Sequence, residues 1–221
     1  MAKTLVLIYG IVTDLVILSS FIFSVRYFKE LKKYRYLKLF PIYTAISFLV
    51  DLVGYFNKSF GTMATNLFVP FEFVMFYIFF GRVLDDKRNL KTLCILGSLY
   101  VVFFLIMLII QYDKDHLSLL KLFEKRVYLD FVLVSYILIV LPIILYYKSL
   151  FSSVSLNLNK DPVFLIMTGI MFGFSLIIPI NTFHLVVRHN SIETYLYFYI
   201  LNAFGYIFMH LFFIKAYTII R

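Results

Sequence analysis

Seven long apolar stretches occupy almost all of this 221-residue chain. They cover residues 5–25, 39–56, 63–84, 92–111, 129–147, 162–183 and 195–217. Each is near the roughly 20 residues that an α-helix needs to cross about 30 Å of hydrocarbon. Their apolar residues run continuously instead of alternating with a period of two, which favours helices over the strands of a membrane barrel. The sequence therefore predicts an all-α, polytopic membrane bundle of seven transmembrane helices.

The composition and the short connections predict one membrane domain over residues 1–221. Hydrophobic residues make up 62% of the chain, well above the roughly 45 to 50% that is typical of soluble domains. The longest connection, residues 112–128, is too short to build a separate soluble domain. Leu117, Leu120 and Phe123 in this connection have helical spacing, which predicts a short helix lying on the outer membrane interface.

The distribution of basic residues predicts the orientation of the bundle. Fourteen Lys and Arg residues fall in one set of alternate connections and seven fall in the other set. Because cytoplasmic connections carry the excess of positive charge, the amino terminus is expected outside and the carboxyl terminus in the cytoplasm. Only Lys3 precedes the first stretch, so that stretch is expected to be a retained anchor and not a cleaved signal peptide. We expect a multi-pass protein of the inner membrane.

The net charge of +9 needs no nucleic-acid partner to explain it. Its main concentration follows the first stretch and would lie at the inner membrane surface, where each basic residue near anionic headgroups is worth about 1 kcal/mol. Lipid anchoring is one interpretation of this surface, and docking of an acidic cytoplasmic partner is the other. The residues of this cytoplasmic basic surface are Arg26, Lys29, Lys32, Lys33, Arg35 and Lys38.

Acidic residues inside the apolar stretches are the strongest functional candidates. Asp14 and Glu72 fall near the middle of the first and third stretches, Asp51 falls in the outer half of the second, and Asp130 at the outer edge of the fifth. An ionisable group at the bilayer centre costs about 2.5 to 3.5 kcal/mol even on the gentlest scale. No Lys or Arg lies at comparable depth, which favours an internal wet cavity around these acids.

Amide side chains predict that this cavity opens to the outside. Asn66 lies one to two turns outside Glu72, and Asn202 lies in the outer half of the last stretch. His210 follows Asn202 by eight residues, so the two share roughly one helix face. We expect an outward-facing ligand pocket of Asp51, Asn66, Glu72 and Asn202, with Asp14 and His210 as further members. Alternatively, Asn66 and Asn202 only form hydrogen bonds between helices.

Three prolines fall inside apolar stretches, where they are expected to kink helices or to release backbone carbonyl groups. They are Pro70, Pro142 and Pro179. Pro70 precedes Glu72 by two residues, so a kink there would open the third helix beside the carboxyl group.

Catalytic signatures are absent from the sequence. It contains no HExxH or GxSxG motif, and only His210 of its four histidines lies deep in a stretch. Neither a metal nor a cofactor is predicted, and retinal binding would need a lysine midway along the last stretch. Two alternatives stay open, namely a small-solute or proton-coupled transporter, and an intramembrane lipid hydrolase that uses Asp51, Glu72 and His210.

Two short patterns resemble the uncharacterised seven-helix membrane proteins of about this length found in Bacteroidota. In the third stretch, Asn66 precedes the pair Glu72 and Phe73 by six residues in an aromatic helix that runs to Tyr77. The last stretch is similar to the asparagine-containing final helix of that group, with Asn202 in residues 199–206. Many members carry a histidine between the asparagine and the glutamate, whereas this chain has none at residues 67–71.

Such proteins are often encoded near sensor histidine kinases and response regulators, so the resemblance implies a sensory or signalling accessory role. Together with the expected pocket and the lack of catalytic motifs, it leads to one functional hypothesis. The chain is predicted to be a receptor-like membrane module without a catalytic domain of its own, whose partners are the lipid bilayer and a signalling protein.

Overall fold

A computed structural model of the chain describes residues 2–31, 34, 37–84, 87–115, 129–151, 158–186 and 192–220. These residues form eight α-helices and two short 3₁₀ segments, Leu37–Leu39 and Leu158–Lys160, and none of them lies in a strand. The helices are α1 Ala2–Arg26, α2 Phe28–Leu31, α3 Phe40–Phe56, α4 Lys58–Val83, α5 Lys87–Asp115, α6 Leu129–Phe151, α7 Pro162–Val186 and α8 Ile192–Ile219.

The all-α prediction is confirmed. Six helices of the described residues, α1, α3, α4, α5, α7 and α8, are long and apolar enough to cross a membrane. In α6 the apolar segment Ile139–Lys148 is shorter. The chain therefore has the character of a multi-pass membrane protein, and each predicted stretch corresponds to one long helix. The predicted interfacial helix of Leu117, Leu120 and Phe123 lies outside the described residues.

The chain forms two compact units. Unit 1 comprises Met1–Phe48 and Tyr147–Arg221, and unit 2 comprises Leu49–Tyr146. Unit 1 thus contains α1, the first half of α3, α7 and α8, whereas unit 2 contains the second half of α3, α4, α5 and most of α6. The expectation of a single domain stays a prediction.

In unit 1, α1 buries small and polar residues and exposes aliphatic ones. Its buried positions recur every three or four residues, and its exposed positions carry Leu, Ile and Val. A soluble protein has the reverse arrangement, whereas helices in lipid pack through small residues and present aliphatic side chains to the hydrocarbon. The buried positions of α1 are Gly10, Thr13, Ile17, Ser20 and Ser24.

Paired contacts along α1 and α8 show that these two helices run parallel. Near the start of α1, the Tyr9 ring lies 5.3 Å from the Phe204 ring. Eleven residues further along α1, Ser20 faces Tyr217, which follows Phe204 by thirteen residues. Because the contacts advance in the same chain direction on both helices, α1 and α8 point the same way.

By contrast, α3 and α7 run antiparallel to α8. The Phe40 ring lies 5.1 Å from Phe213 and the Tyr43 ring lies 6.1 Å from His210, so the contacts advance in opposite chain directions. The same holds for α7, in which Gly169 meets Phe212 while the later Gly173 meets Gly205. Unit 1 therefore holds two helices in one direction and two in the other.

Glycines allow α7 and α8 to approach each other closely. A Cβ atom added at Gly173 would lie 3.1 Å from the carbonyl oxygen of Gly205, and one added at Gly205 would lie 2.8 Å from Ile177 Cγ1. A Cβ atom at Gly169 would lie 2.7 Å from Phe212 Cβ. Gly169 and Gly173 form the GxxxG spacing by which membrane helices bring their backbones together.

In unit 2, aromatic rings join α4 to α5. The Phe73 ring stacks on Tyr100 at 3.6 Å between centroids and on Tyr77 of its own helix at 4.1 Å. Tyr77 in turn packs against Gly97, so α4 and α5 run antiparallel. Ring stacking takes the place that glycine contacts have between α7 and α8.

The chain turns sharply between α3 and α4. An uninterrupted helix would separate Gly54 from Gly61 by about 10.5 Å, whereas a Cβ atom at Gly61 would lie only 2.5 Å from Gly54 Cα. The side-chain oxygen of Asn57 accepts a hydrogen bond from the Phe60 amide at 3.3 Å and so caps the start of α4. This turn places the end of α3 beside the start of α4.

Candidate functional site

Glu72 lies on the buried face of α4 and is 0% exposed. Residues one turn before and after it on the same face, Phe68 and Phe76, are also buried, as is Phe79 a further turn along. The opposite face carries exposed aliphatic side chains such as Val74. Glu72 is therefore a carboxyl group enclosed among aromatic rings in the middle of a candidate membrane-spanning helix.

Pro70 changes the backbone of α4 beside Glu72. It lies inside the helix, as do Pro142 in α6 and Pro179 in α7. Pro70 has no amide hydrogen to donate to the carbonyl oxygen of Asn66, which is the acceptor that the i to i−4 pattern assigns to it. The regular hydrogen bonding of the helix is thus interrupted in the segment between Asn66 and Glu72.

The other two pocket candidates in unit 2 differ from Glu72 in burial. Asn66 is half-buried on α4, about 9 Å along the axis from Glu72 and about a third of a turn around it. Asp51 is exposed, and so is every residue from it to Asn57 at the end of α3. Of these three residues, only Glu72 is fully enclosed.

The remaining pocket candidates belong to unit 1. Asp14 on α1 and Asn202 on α8 are half-buried, and these helices pack side by side through the contact of Tyr9 with Phe204. His210 is 0% exposed and lies further along α8. Among the described residues, neither of its ring nitrogens has a hydrogen-bond partner. Asp130 lies in α6, and the description does not extend to its side chain.

A set of buried hydroxyl groups in unit 1 escaped the sequence analysis. It lies in the last turns of α1 and α8 and in the first turns of α3, all at the end of the unit where α3 begins. Two of these hydroxyls donate to carbonyls of their own helix, Ser24 to Phe21 at 2.7 Å and Thr44 to Phe40 at 3.0 Å. The signal in the sequence was the spacing of hydroxyl residues on one helix face. The buried members are Ser20, Ser24, Thr44, Ser47 and Tyr217.

The described members of the predicted cytoplasmic basic surface are exposed. Arg26 ends α1, Lys29 lies in α2 and Lys38 lies in the 3₁₀ segment before α3, whereas Lys32, Lys33 and Arg35 lie outside the described residues. The other described basic residues of the same set of connections are exposed too, namely Arg82, Lys87, Arg88, Lys91, Lys148, Lys160 and Lys215.

Neither metal-ligand clusters nor similarity to known proteins assign a chemistry to the site. Within the described ranges, no group of three His, Cys, Asp or Glu residues could hold a metal ion. The sequence matches no protein-family model, and neither curated proteins nor solved structures give a match.

Proposed function

We propose that this protein is a sensory or receptor-like module of the bacterial inner membrane, without a catalytic domain of its own, in which Glu72 is the responding group. The observation that carries the proposal is the complete burial of Glu72 in the middle of α4. A carboxyl group at that depth costs about 2.5 to 3.5 kcal/mol, and such groups in membrane helices usually serve binding, proton transfer or signalling.

Seven crossings, with the amino terminus outside, form part of the proposal. The parallel packing of α1 and α8 supports an odd number of crossings, because successive crossings alternate in direction. The six helices that are long enough would by themselves place the first and last crossings antiparallel. Counting α6 as a further crossing removes this conflict and also agrees with the antiparallel packing of α7 and α8.

The exposure of the basic residues supports the cytoplasmic assignment. The described Lys and Arg residues of the predicted inner connections are all exposed and lie at or near the ends of helices, where anionic headgroups and water would meet them. The resemblance to the Bacteroidota proteins adds a signalling partner to the proposal. In this arrangement the basic surface that includes Arg26, Lys29 and Lys38 anchors the module or contacts that partner.

In the proposed mechanism, a proton or a small polar ligand enters from outside past Asp51 and Asn66 and changes the state of Glu72. Such a ligand shifts the protein toward the conformation that binds it better, and only by its difference in affinity between the two conformations. The interrupted hydrogen bonding at Pro70 gives α4 a place to bend. The stack of Phe73 on Tyr100 transmits that movement to α5.

A single tryptophan can test this mechanism, because the chain contains none. Phe71→Trp places the reporter beside Glu72 in the full-length protein in lipid nanodiscs. We expect its emission to shift when the pH of the buffer, which bathes both faces of the nanodisc, is stepped, and Glu72→Gln to abolish the shift. The control is Val74→Thr, an isosteric change on the exposed face of the same helix. An equal response in Glu72→Gln and in the parent would overturn the proposal.

Proton-coupled transport is the second candidate, since a buried membrane carboxyl group is also the usual proton carrier of transporters. A transporter moves protons or solutes across the membrane, whereas a sensory module does not. We expect no accumulation of protons or of a panel of small solutes in proteoliposomes under a pH gradient. Flux that Glu72→Gln abolishes and Val74→Thr leaves intact would identify a transporter instead.

A further inference from the structure

His210 is a buried polar group whose ring nitrogens lack partners in the described part of the chain. It lies in unit 1 on α8 and is 0% exposed. One ring face stacks on Tyr43 at 6.1 Å between centroids and 8° between planes, and the ring meets Phe213 edge-on at 5.3 Å. Neither Nδ1 nor Nε2 forms a hydrogen bond with any described residue.

Burying the imidazole of His210 costs free energy unless another molecule forms hydrogen bonds with its ring nitrogens. A neutral imidazole carries one N–H donor and one nitrogen acceptor. Each buried group left unsatisfied costs about 1 to 3 kcal/mol, and buried polar atoms in proteins nearly always have a protein or water partner. The position therefore favours a partner molecule that both accepts and donates a hydrogen bond.

Nearby hydroxyl groups do not meet this need. The Thr44 hydroxyl, next to Tyr43 in the chain, directs its hydrogen to the carbonyl oxygens of Phe40 and Pro41 at 3.0 and 3.2 Å. Tyr217 lies two turns beyond His210 on the same face of α8, and its hydroxyl faces Ser20 and not the imidazole. No described residue forms a hydrogen bond with either ring nitrogen of His210.

We propose that His210, with the face of Tyr43 and the edge of Phe213, forms a buried binding site in unit 1 for a small neutral molecule that donates one hydrogen bond and accepts another. Water is the smallest such molecule. The aromatic walls disfavour an ion, because burying a charge without a paired countercharge costs far more than burying a neutral polar group. This site is independent of the role proposed for Glu72.

Nitrogen-15 NMR of the imidazole tests the proposal in full-length protein in lipid nanodiscs. Replacing His116, His184 and His189 with Gln leaves His210 as the single histidine. We expect the resonance of the acceptor nitrogen to shift from the value of a free imidazole toward that of a hydrogen-bonded one. Magnetisation transfer from water to the ring would identify water as the ligand.

Each other outcome also decides the question. A hydrogen-bonded shift without transfer from water, together with extra mass in native mass spectrometry, would support the site with a different small neutral ligand. An acceptor nitrogen with the shift of a free imidazole would overturn the proposal. If the triple variant does not fold, the same resonance can be assigned in the parent protein as the signal lost in His210→Phe.

The thermal unfolding midpoint of His210→Phe gives a second, independent readout. In a dry site, phenylalanine would remove two unsatisfied polar groups and raise the midpoint, because replacing such groups with apolar atoms is neutral or stabilising. In an occupied site, the variant loses its hydrogen bonds and unfolds below the parent midpoint. An unchanged or raised midpoint would therefore overturn the proposal, and the reporter response of Glu72 is unaffected by either result.

Discussion

The two units hold their helices together by different means. In unit 1, α7 and α8 touch backbone to backbone at Gly173 and Gly205, and α1 presents small and polar residues to its neighbours. In unit 2, α4 and α5 are joined by the stacked rings of Phe73 and Tyr100. Lipid chains are as apolar as a leucine side chain, so burial from lipid drives neither contact. Close packing of complementary surfaces remains as the stabilising contribution. Glycine contacts provide it in unit 1, and aromatic stacking provides it in unit 2.

The difference also determines where polar groups can be accommodated. The helices of unit 1 that pack through small residues enclose several hydroxyls, and two of these, Ser24 and Thr44, donate to carbonyls one turn away in their own helix. The buried face of α4 carries a single carboxyl group, Glu72, together with buried phenylalanines. Substitutions that add volume should therefore damage unit 1 most, whereas substitutions that remove volume should damage unit 2 most.

The largest effect is expected from Gly205→Leu, which adds volume at the closest backbone contact of unit 1. Even a Cβ atom there would lie 2.8 Å from Ile177 Cγ1 and 3.0 Å from the carbonyl oxygen of Gly173. Overpacking of this kind costs about 3 kcal/mol. Denaturant unfolding of the purified protein in mixed micelles measures the loss.

Gly81→Leu is the matched control, because a Cβ atom at Gly81 meets nothing within 4 Å. Leucine has the higher helix propensity by roughly 0.8 kcal/mol, so the control is expected to keep or raise stability. If both variants lose the same stability, then helix contact at Gly205 is not what holds α7 and α8 together.

The next effect is expected from Tyr100→Ala, which removes a ring from the stack of unit 2. The ring lies 3.6 Å from Phe73 between centroids, and Tyr100 is buried. We expect a loss of about 2 kcal/mol, since aromatic contacts are lost without the water-transfer term that raises such costs in soluble proteins. The same unfolding assay measures it.

Leu99→Ala is the control for Tyr100→Ala. Leu99 precedes Tyr100 on α5 and is exposed, so its removal should change stability by only a few tenths of a kcal/mol. Equal losses in the two variants would mean that ring stacking does not distinguish unit 2 from the rest of the molecule.

The helices themselves could be predicted closely from hydropathy. The predicted stretch at residues 162–183 and the observed Pro162–Val186 begin at the same residue, and the predicted 39–56 differs from Phe40–Phe56 by one residue. The bounds of other helices were missed by up to five residues, since α4 begins at Lys58 where 63 was predicted and α5 spans Lys87–Asp115 where 92–111 was predicted. Polar turns at the ends of these helices extend beyond the apolar run. The interior prolines, Pro70 among them, also fall inside helices as predicted.

Burial around each helix could not be predicted in the same way, because a membrane helix is apolar on all sides. Asp51 and Glu72 were both predicted to line the pocket, yet Asp51 is exposed and Glu72 is fully buried. The GxxxG spacing of Gly169 and Gly173 is a sequence signal for helix contact, but predictions based on polar residues do not use it. His210 was singled out by its depth and by its shared helix face with Asn202, whereas its aromatic surroundings depend on the packing of α3 against α8.

The smallest effect is expected from a hydrogen bond that joins the end of α6 to α7 in unit 1. The hydroxyl oxygens of Tyr147 and Thr168 are 2.7 Å apart, and Thr168 directs its own hydrogen to the carbonyl oxygen of Phe164 at 2.7 Å. Tyr147 is therefore the donor to Thr168. Hydrogen bonds between membrane helices average about 0.6 kcal/mol in double-mutant cycles, because the unfolded helices find other partners in the membrane.

A double-mutant cycle of Tyr147→Phe and Thr168→Val measures this bond, since both changes keep the shape of the side chain. We expect a coupling energy of about 0.6 kcal/mol, well below the effects at Gly205 and Tyr100. A coupling energy above about 2 kcal/mol would exceed what such bonds supply. It would make the hydrogen bonds from Tyr147 to Thr168 and from Thr168 to Phe164, and not the glycine contact, the main stabilising feature of unit 1. A value near zero would mean that the hydrogen bond adds nothing to the edge-on contact of Tyr147 with Phe164, at 5.9 Å between ring centroids.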